Sequence, residues 1–420
     1  MRGLLIVNPQ ATSTTGSGAD LVARSLDGLV DLRVAYTRYR GHARELAASA
    51  DEDLVVVLGG DGAINEVVNG LRDRQRPVPG SAPVPLTGSA PPLPGSAPVP
   101  LLAAIPGGGG NVFTRALGLP PDAAKASAKI RELLAAGEYR TIGLALAGER
   151  YFTFSAGLGM DAEVVHYVEG LRARGHRESQ ALFVRGILRR YYSGTDRRRP
   201  ALTLERDGQP PVNGLFLGIA TNSAPWTYFR GRPLLPRPDA DFSSGLDVLA
   251  LSRLSLRTIL GLILQMLRTP RRNGPPRGRH ILAATRLDSF TIRCSRPTAF
   301  HVDGEYLGEV ESVKFQFVPD ALRVVAPCLS GGYKPTPRTP LPRHTPPLVS
   351  PGRKALRAFA ARRSAKLAHA RRGTSPRPAA PLGAALPARG SLRSRLFDWG
   401  ARHFGICPGC LSGSRRWRGR

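Results

Sequence analysis

Apolar residues along this chain recur with two periods, and the switch from one to the other marks out its elements. Residues 54–58, Leu-Val-Val-Val-Leu, are an unbroken and largely β-branched run bounded by glycine, the pattern of a strand buried on both faces of a parallel sheet. Straight after it Ile64, Val67, Val68 and Leu71 fall at i, i+3, i+4 and i+7, one apolar face of a helix. The same alternation opens the chain. Residues 1–7 predict a first strand, cut off by Asn8-Pro9, and residues 19–29 a helix. Residues 32–36 then predict a strand closed by Thr37, and Gly41-His42-Ala43 opens a helix running towards Ala50. A further buried run occupies 101–105. Strand and helix alternate three times before residue 72, so residues 1–140 predict an α/β domain with a parallel, doubly wound sheet.

From Thr141 the pattern changes. Residues 142–147, 151–155, 201–205, 214–221, 246–252, 289–293 and 313–318 read as strands, several parted by turn pairs such as Ala147-Gly148, Asp207-Gly208 and Ser244-Gly245. This predicts a second, mainly antiparallel domain over 141–330, of β-sandwich type. Its last strands are free to return to the first domain. A helix over 256–268 interrupts it, and the apolar centre of that helix reads as core packing. Between 76 and 100, Gly-Ser-Ala-Pro recurs from Gly80, Gly88 and Gly95 with no charge after Arg76, which predicts a flexible surface insertion without site residues.

Two strand ends carry glycine-rich loops. Gly59-Gly60-Asp61-Gly62 joins the strand at 54–58 to its helix, and Pro106-Gly107-Gly108-Gly109-Gly110-Asn111 follows the strand at 101–105. Glycine lets the backbone turn sharply and approach a ligand, and the helix start behind it offers free N–H groups to a phosphate. The Asp61 carboxylate is thereby held at the carboxyl end of a strand, where open α/β sheets place ligands. Alone, the first tetrapeptide reads equally as an ordinary strand-to-helix turn. Two such loops in one domain point to one polyanionic ligand gripped from two sides. A Ser/Thr/Gly loop over 11–18 offers a further phosphate contact or a solvated turn.

With these motifs in order, the chain resembles the diacylglycerol kinase catalytic-domain family, whose superfamily includes sphingosine kinases and, more distantly, NAD kinases. The resemblance rests on Gly59-Gly-Asp-Gly-Ala-Ile-Asn-Glu66 with Ile105-Pro-Gly-Gly-Gly-Gly-Asn-Val-Phe-Thr-Arg115, and on three further stretches: Ile6-Val-Asn-Pro9, Thr37-Arg-Tyr-Arg-Gly-His-Ala43 and His301-Val-Asp-Gly-Glu305. It covers about residues 1–330 and implies a nucleotide domain followed by a β-rich one. It also implies ATP with Mg2+ and a lipid alcohol as acceptor. Asn8, Pro9, Thr37, Gly59, Gly60, Asp61, Gly62, Asn65, Glu66, Gly107, Gly108, Gly109, Gly110 and Asn111 are then the nucleotide-binding candidates. Glu305 is the favoured base for the acceptor hydroxyl, with Asp61 nearer phosphate and metal; by itself Asp303-Gly304-Glu305 also reads as a hairpin turn. Phosphoryl transfer asks for little else: donors around the phosphates, a divalent cation, and a carboxylate for the attacking hydroxyl. No Walker-type Gly-x-x-x-x-Gly-Lys-Ser/Thr occurs, which argues against a P-loop enzyme.

The sequence departs from the family pattern in three places. Ala63 replaces a common threonine, and Gly109 and Val112 replace a hydroxyl and an acid of the second glycine motif. Ser244 stands where bacterial relatives often place a metal-binding aspartate, leaving Asp247 as the surviving candidate for a structural magnesium.

Charge adds a third region. Of a formal net charge of +29 in 420 residues, +19 lies in 331–420, which hold 20 Lys and Arg against Asp398 alone. Rich also in Pro and Ala, this stretch predicts a mostly disordered basic tail. Its charge suits an anionic membrane surface. Its scattered aromatics and lack of a recognition motif make nucleic acid an unlikely partner. A nucleic-acid-binding protein stays as the alternative from another class, beside a kinase of a soluble hydroxyl in the manner of NAD kinases. Cys407-Pro-Gly-Cys410 with His403 falls short of the four ligands of a structural zinc site. Four cysteines without a framework spacing fit a reducing compartment, and no run approaches the ~18 apolar residues of a membrane span. The expected location is the cytoplasm, with peripheral membrane association; oligomeric state is left open.

Overall fold

The computed structural model describes residues 1–9, 16–74, 99–176, 179–268 and 274–328, all within one compact unit, Met1–Arg338. Most of the insertion expected over 76–100, the tail from 331 and the Cys407–Cys410 pair lie outside the described residues.

Each of the first four strands is a six-residue run, and each is followed by a helix that covers the sheet. The order is β1 (Arg2–Val7), α1 (Gly16–Leu26), β2 (Asp31–Tyr36), α2 (His42–Ala48), β3 (Leu54–Gly59), α3 (Asp61–Asp73), β4 (Leu101–Pro106), α4 (Val112–Ala116) and α5 (Ala123–Ala135). The strands pair in parallel in the spatial order β2-β1-β3-β4. The chain thus runs outward from β1 to β2 and then crosses back to β3 on the other side of β1, which creates a topological switch point between β1 and β3. All six residues of β3 are buried, as its unbroken apolar run requires of a central strand. Ile64, Val67, Val68 and Leu71 of α3 are fully buried against it. Burying a side chain of this kind contributes roughly 1.5–3 kcal/mol. α2 crosses α3 so closely at Gly70 that an added Cβ would overlap the carbonyl of Arg44.

The second half continues with β5 (Arg140–Ala147), β6 (Arg150–Phe152), β7 (Ser155–Gly159), α6 (Met160–Arg172), α7 (Gln180–Ser193), β8 (Leu202–Arg206), β9 (Gln209–Leu215) and β10 (Leu217–Thr221). It ends with β11 (Thr227–Phe229), β12 (Arg232–Leu234), β13 (Leu246–Leu251), α8 (Leu256–Arg268), β14 (Ile281–Leu287), β15 (Ser289–Val302) and β16 (Glu305–Val324). Apart from one parallel contact with β4, its ladders are antiparallel. One hydrophobic cluster, which includes Phe152, Leu158, Leu204, Val248, Phe290 and Phe315, is built from buried strand residues alone, the strand-on-strand packing of a sandwiched sheet. A second cluster joins β10, β12 and β13 to α7 and α8. β16 binds the two halves together. It pairs antiparallel with β15 and β5, and at Val324 in parallel with Leu102 of β4. The α/β-then-antiparallel fold class read from the pattern is the one observed.

The differences in detail have local causes. The single strand expected over 151–155 is two, because the N–H groups of Thr153 and Phe154 turn to the Asp303 carboxylate. The short strands expected at 289–293 and 313–318 are the start of a 14-residue strand and the middle of a 20-residue one, whose remaining parts are broken by exposed polar positions and lack a clean alternation. α1 begins at Gly16, before the first apolar position that marked it.

Candidate active site

Register brings the predicted residues of the first domain to one edge. Tyr36, Val7, Leu58 and Ile105 are neighbours across the four parallel strands, so Thr37, Asn8, Gly59 and Pro106 stand side by side at the carboxyl ends. Backbone bonds fix this edge: Asn8 N–H donates to Leu58 at 3.1 Å, Thr37 to Val7 at 2.9 Å and Gly107 to Gly59 at 2.8 Å. Pro9 is exposed just beyond it. The two glycine loops touch here. A Cβ on Gly108 would lie 2.7 Å from the Cα of Gly60, so neither position accepts a side chain without parting the loops. Gly60 caps α3 with backbone alone and no side chain bonds to the cap. The first-turn N–H groups of α3 precede its first i→i−4 bond, from Ile64 to Gly60, and point out of the helix start. Gly62 is exposed with open space around it, and Gly109 is likewise exposed. The donor set fits an anionic phosphate: backbone N–H groups, a helix start and no bulk.

Asp61 joins the loops. Its carboxylate accepts the N–H groups of Val112 at 3.0 Å and Phe113 at 3.1 Å, capping α4 from across the gap. The cap residue of α4, Asn111, is in the left-handed region at φ 49° and spends its side chain on its own loop instead. Its Oδ1 accepts from Gly108 N–H at 2.9 Å and its Nδ2 donates to Gly108 C=O at 2.7 Å. Asn111 therefore shapes the loop that carries Gly109 and Gly110. Glu66 accepts the N–H groups of Gly41 (2.8 Å) and Ala43 (3.2 Å), fixing the start of α2 behind Thr37. Asn65 is fully buried beneath the loop, and its amide is consumed inside the protein. Nδ2 donates to Tyr151 C=O (2.9 Å) and Asp303 Oδ2 (2.8 Å), while Oδ1 accepts from Arg150 Nε (3.0 Å). Through these side-chain bonds Asn65, Glu66 and Asn111 support the edge.

Asp303 and Gly304, at φ 47° and 77°, form a two-residue turn between β15 and β16, closed by the pair Val302–Glu305. The hairpin turn read from Asp303-Gly304-Glu305 is present, and it is pressed onto the first domain. Asp303 is buried. Oδ2 accepts from Asn65 Nδ2, Thr153 N–H and Thr153 Oγ1, and Oδ1 from the N–H groups of Phe154 and Ser155. Burial pushes its carboxyl above the usual range, and these bonds to the ionised form pull the other way. Glu305 stands beside it, held by Arg150 Nη2 at 2.6 Å and by Arg40 from the loop before α2. A continuous chain, Asn65–Arg150–Glu305–Arg40, therefore links α3, β6, the hairpin and the β2–α2 loop. Sequence reasoning missed Arg40, Arg150 and Asp303 in these roles. One local signal pointed to the network: Asn69 lies one turn after Asn65 on an otherwise apolar face, and it too is buried, donating to Tyr151 C=O at 3.0 Å.

Asp247, the candidate for a structural magnesium, stands in a buried ion pair. Arg237 donates Nε to its Oδ2 at 2.7 Å, reaches Ser244 Oγ at 2.6 Å and lies 3.3 Å from Asp239. Burial raises the Asp247 carboxyl from its usual range, against the pull of Arg237. Among the described residues no group of three His, Cys, Asp or Glu side chains could hold a metal ion, and no helix is long and apolar enough to cross a membrane.

A family model, the diacylglycerol kinase catalytic domain, matches residues 2–144. A diacylglycerol kinase of Bacillus subtilis (strain 168) is 29% identical over 277 residues, 64% of this chain and 76% of that protein. Sphingoid long-chain bases kinase 1 of Arabidopsis thaliana is 46% identical over 55 residues, 12% of this chain and 7% of the relative. The crystal structure of a diacylglycerol kinase from Bacillus anthracis str. Sterne superposes with a TM-score of 0.52 at 19% identity, covering 78% of this chain and 97% of that one, a likeness of fold.

Proposed function

We propose that this chain, whose residues 2–144 match the diacylglycerol kinase catalytic-domain model, is an ATP-dependent lipid kinase, transferring the γ-phosphate to the hydroxyl of diacylglycerol or a related lipid alcohol. The observation that carries this reading is the meeting of two glycine loops at the switch point between β1 and β3, with Glu305 tied to α3 behind them through Arg150 and Asn65. The loops and the start of α3 bind and orient the nucleotide phosphates. Asp61 keeps the second loop closed on the first. Glu305 is the group that takes the proton of the acceptor hydroxyl. To do so it releases Arg40, whose side chain is 61% exposed, and stays oriented by Arg150, which is the more buried of the two. Magnesium would be carried on the nucleotide phosphates, where it would offset their charge. In this reading the protein works in the cytoplasm and meets its substrate at an anionic membrane surface. The test is γ-labelled ATP with a panel of lipid alcohols and NAD, products being separated by chromatography. Label in a phospholipid supports a lipid kinase; label in NADP alone moves the protein to a soluble substrate.

A further inference from the structure

We propose that the outer face of α8 is a bilayer-docking face, taking the phosphate headgroup of an anionic phospholipid at its amino end and burying Leu260 and Leu264 among the acyl chains. The lipid-kinase reading supplies the reason for such a contact, but the face is argued from its own residues. α8 divides cleanly. Leu262 and Met266 are buried in the cluster beneath the helix, whereas Leu260 and Leu264 are 57% and 49% exposed on the side away from it. With the exposed Arg257 they form a stripe at i, i+3 and i+7, so two aliphatic side chains sit one turn beyond a cation.

The amino end of the helix opens onto a cavity of about 480 Å³ lined by Arg253, Ser255, Leu256, Arg257, Thr258 and His280. Ser255 caps the helix through Thr258 N–H at 3.1 Å. The segment that carries His280 is fixed to α8 by Gln265, which donates to the Arg277 carbonyl at 3.1 Å and accepts from its N–H at 3.0 Å. The cavity is therefore a braced feature of the surface. Its charge has one sign: residues 248–287 contain eight arginines and no acidic residue. An apolar stripe beside a cationic pocket matches the depth order of a lipid monolayer, acyl chains below phosphates. It does not match a nucleic acid, which asks for stacking aromatics beside its cations.

The test uses the full chain carrying Leu260→Trp, with fluorescence read as the difference from the parent, on mixed phosphatidylcholine–phosphatidylglycerol vesicles containing brominated acyl chains. Docking predicts that the new tryptophan is quenched by the brominated lipid. Adding Arg253→Glu and Arg257→Glu should cut that quenching about tenfold or more at equal lipid. A protein that sediments with the vesicles while the new tryptophan stays unquenched overturns the proposal, because another surface then makes the contact. Unchanged quenching after charge reversal also overturns it. Activity on lipid dispersed in neutral detergent checks that the variants are folded, since none of these residues belongs to the candidate site. If the parent phosphorylates no lipid in detergent, the functional reading fails separately and the quenching result still decides the docking face.

Discussion

Asp61 is where a single side chain has most to do, because both of its oxygens accept N–H groups from the opposite loop while it begins the helix behind the first. Asp61→Asn keeps the shape but replaces one acceptor by a donor, aimed at an N–H it cannot bond. The expected outcome is a local cost of about 1–2 kcal/mol, read from a urea midpoint, and a loss of transfer of about a hundredfold or more in kcat. Near-normal turnover would remove Asp61 from the site. Asp303→Asn should behave in the opposite proportion. Five donors converge on that carboxylate in a buried place, and an amide would leave two or more of them facing another donor. About 3 kcal/mol of stability should go, with activity falling only as far as the hairpin loosens. The glycines and Asp61 were legible in the sequence because their chemistry is local: a strand, a turn and a helix start within a few residues. Arg40, Arg150 and Asp303 were not, since their partners lie up to 265 residues away and no periodicity encodes such a distance.

At the scale of elements, the parallel strands were read with little error because β1, β3 and β4 are short apolar runs buried on both faces, and the exposed edge strand β2 is framed by its turn residues. The two long antiparallel strands were read only in part: β15 at its start, short of the buried Thr298–Val302 stretch that a polar interruption parts from it, and β16 at the middle of its length. That extension is what matters for the site, since the β15–β16 turn carries Glu305 to Arg40 and β16 returns to β4. The insertion can be tested as an element of its own. Val99 packs against the first core and its carbonyl accepts from Arg323 at 2.8 Å, so the deletion should stop at residue 98. Removing residues 79–98 should shift stability by less than about 1 kcal/mol and leave transfer unchanged, because loop length costs only ~0.6 kcal/mol per doubling. A thermal melt and the transfer assay check this; loss of folded protein would show that the segment packs.

For the whole molecule, charge and catalysis are expected to separate. The +19 carried by 331–420 contributes no motif to the candidate site. A chain ending at residue 330 should therefore keep its activity on detergent-dispersed lipid. Its binding to anionic vesicles should weaken at low salt, and moderate salt should narrow the gap from the full chain, since exposed charges are screened within about 8–10 Å. Equal vesicle binding by both forms at low salt would contradict a tethering role for the tail. The central claim is a direct transfer of phosphate to a lipid hydroxyl, and the measurement that meets it head-on is the fate of labelled γ-phosphate with diacylglycerol in neutral detergent. The full chain should move label into phosphatidic acid or the corresponding lipid phosphate, and Glu305→Gln should lower kcat steeply with the KM for ATP little changed. Label recovered only as inorganic phosphate, or in lipid at the same rate with Glu305→Gln, would contradict it.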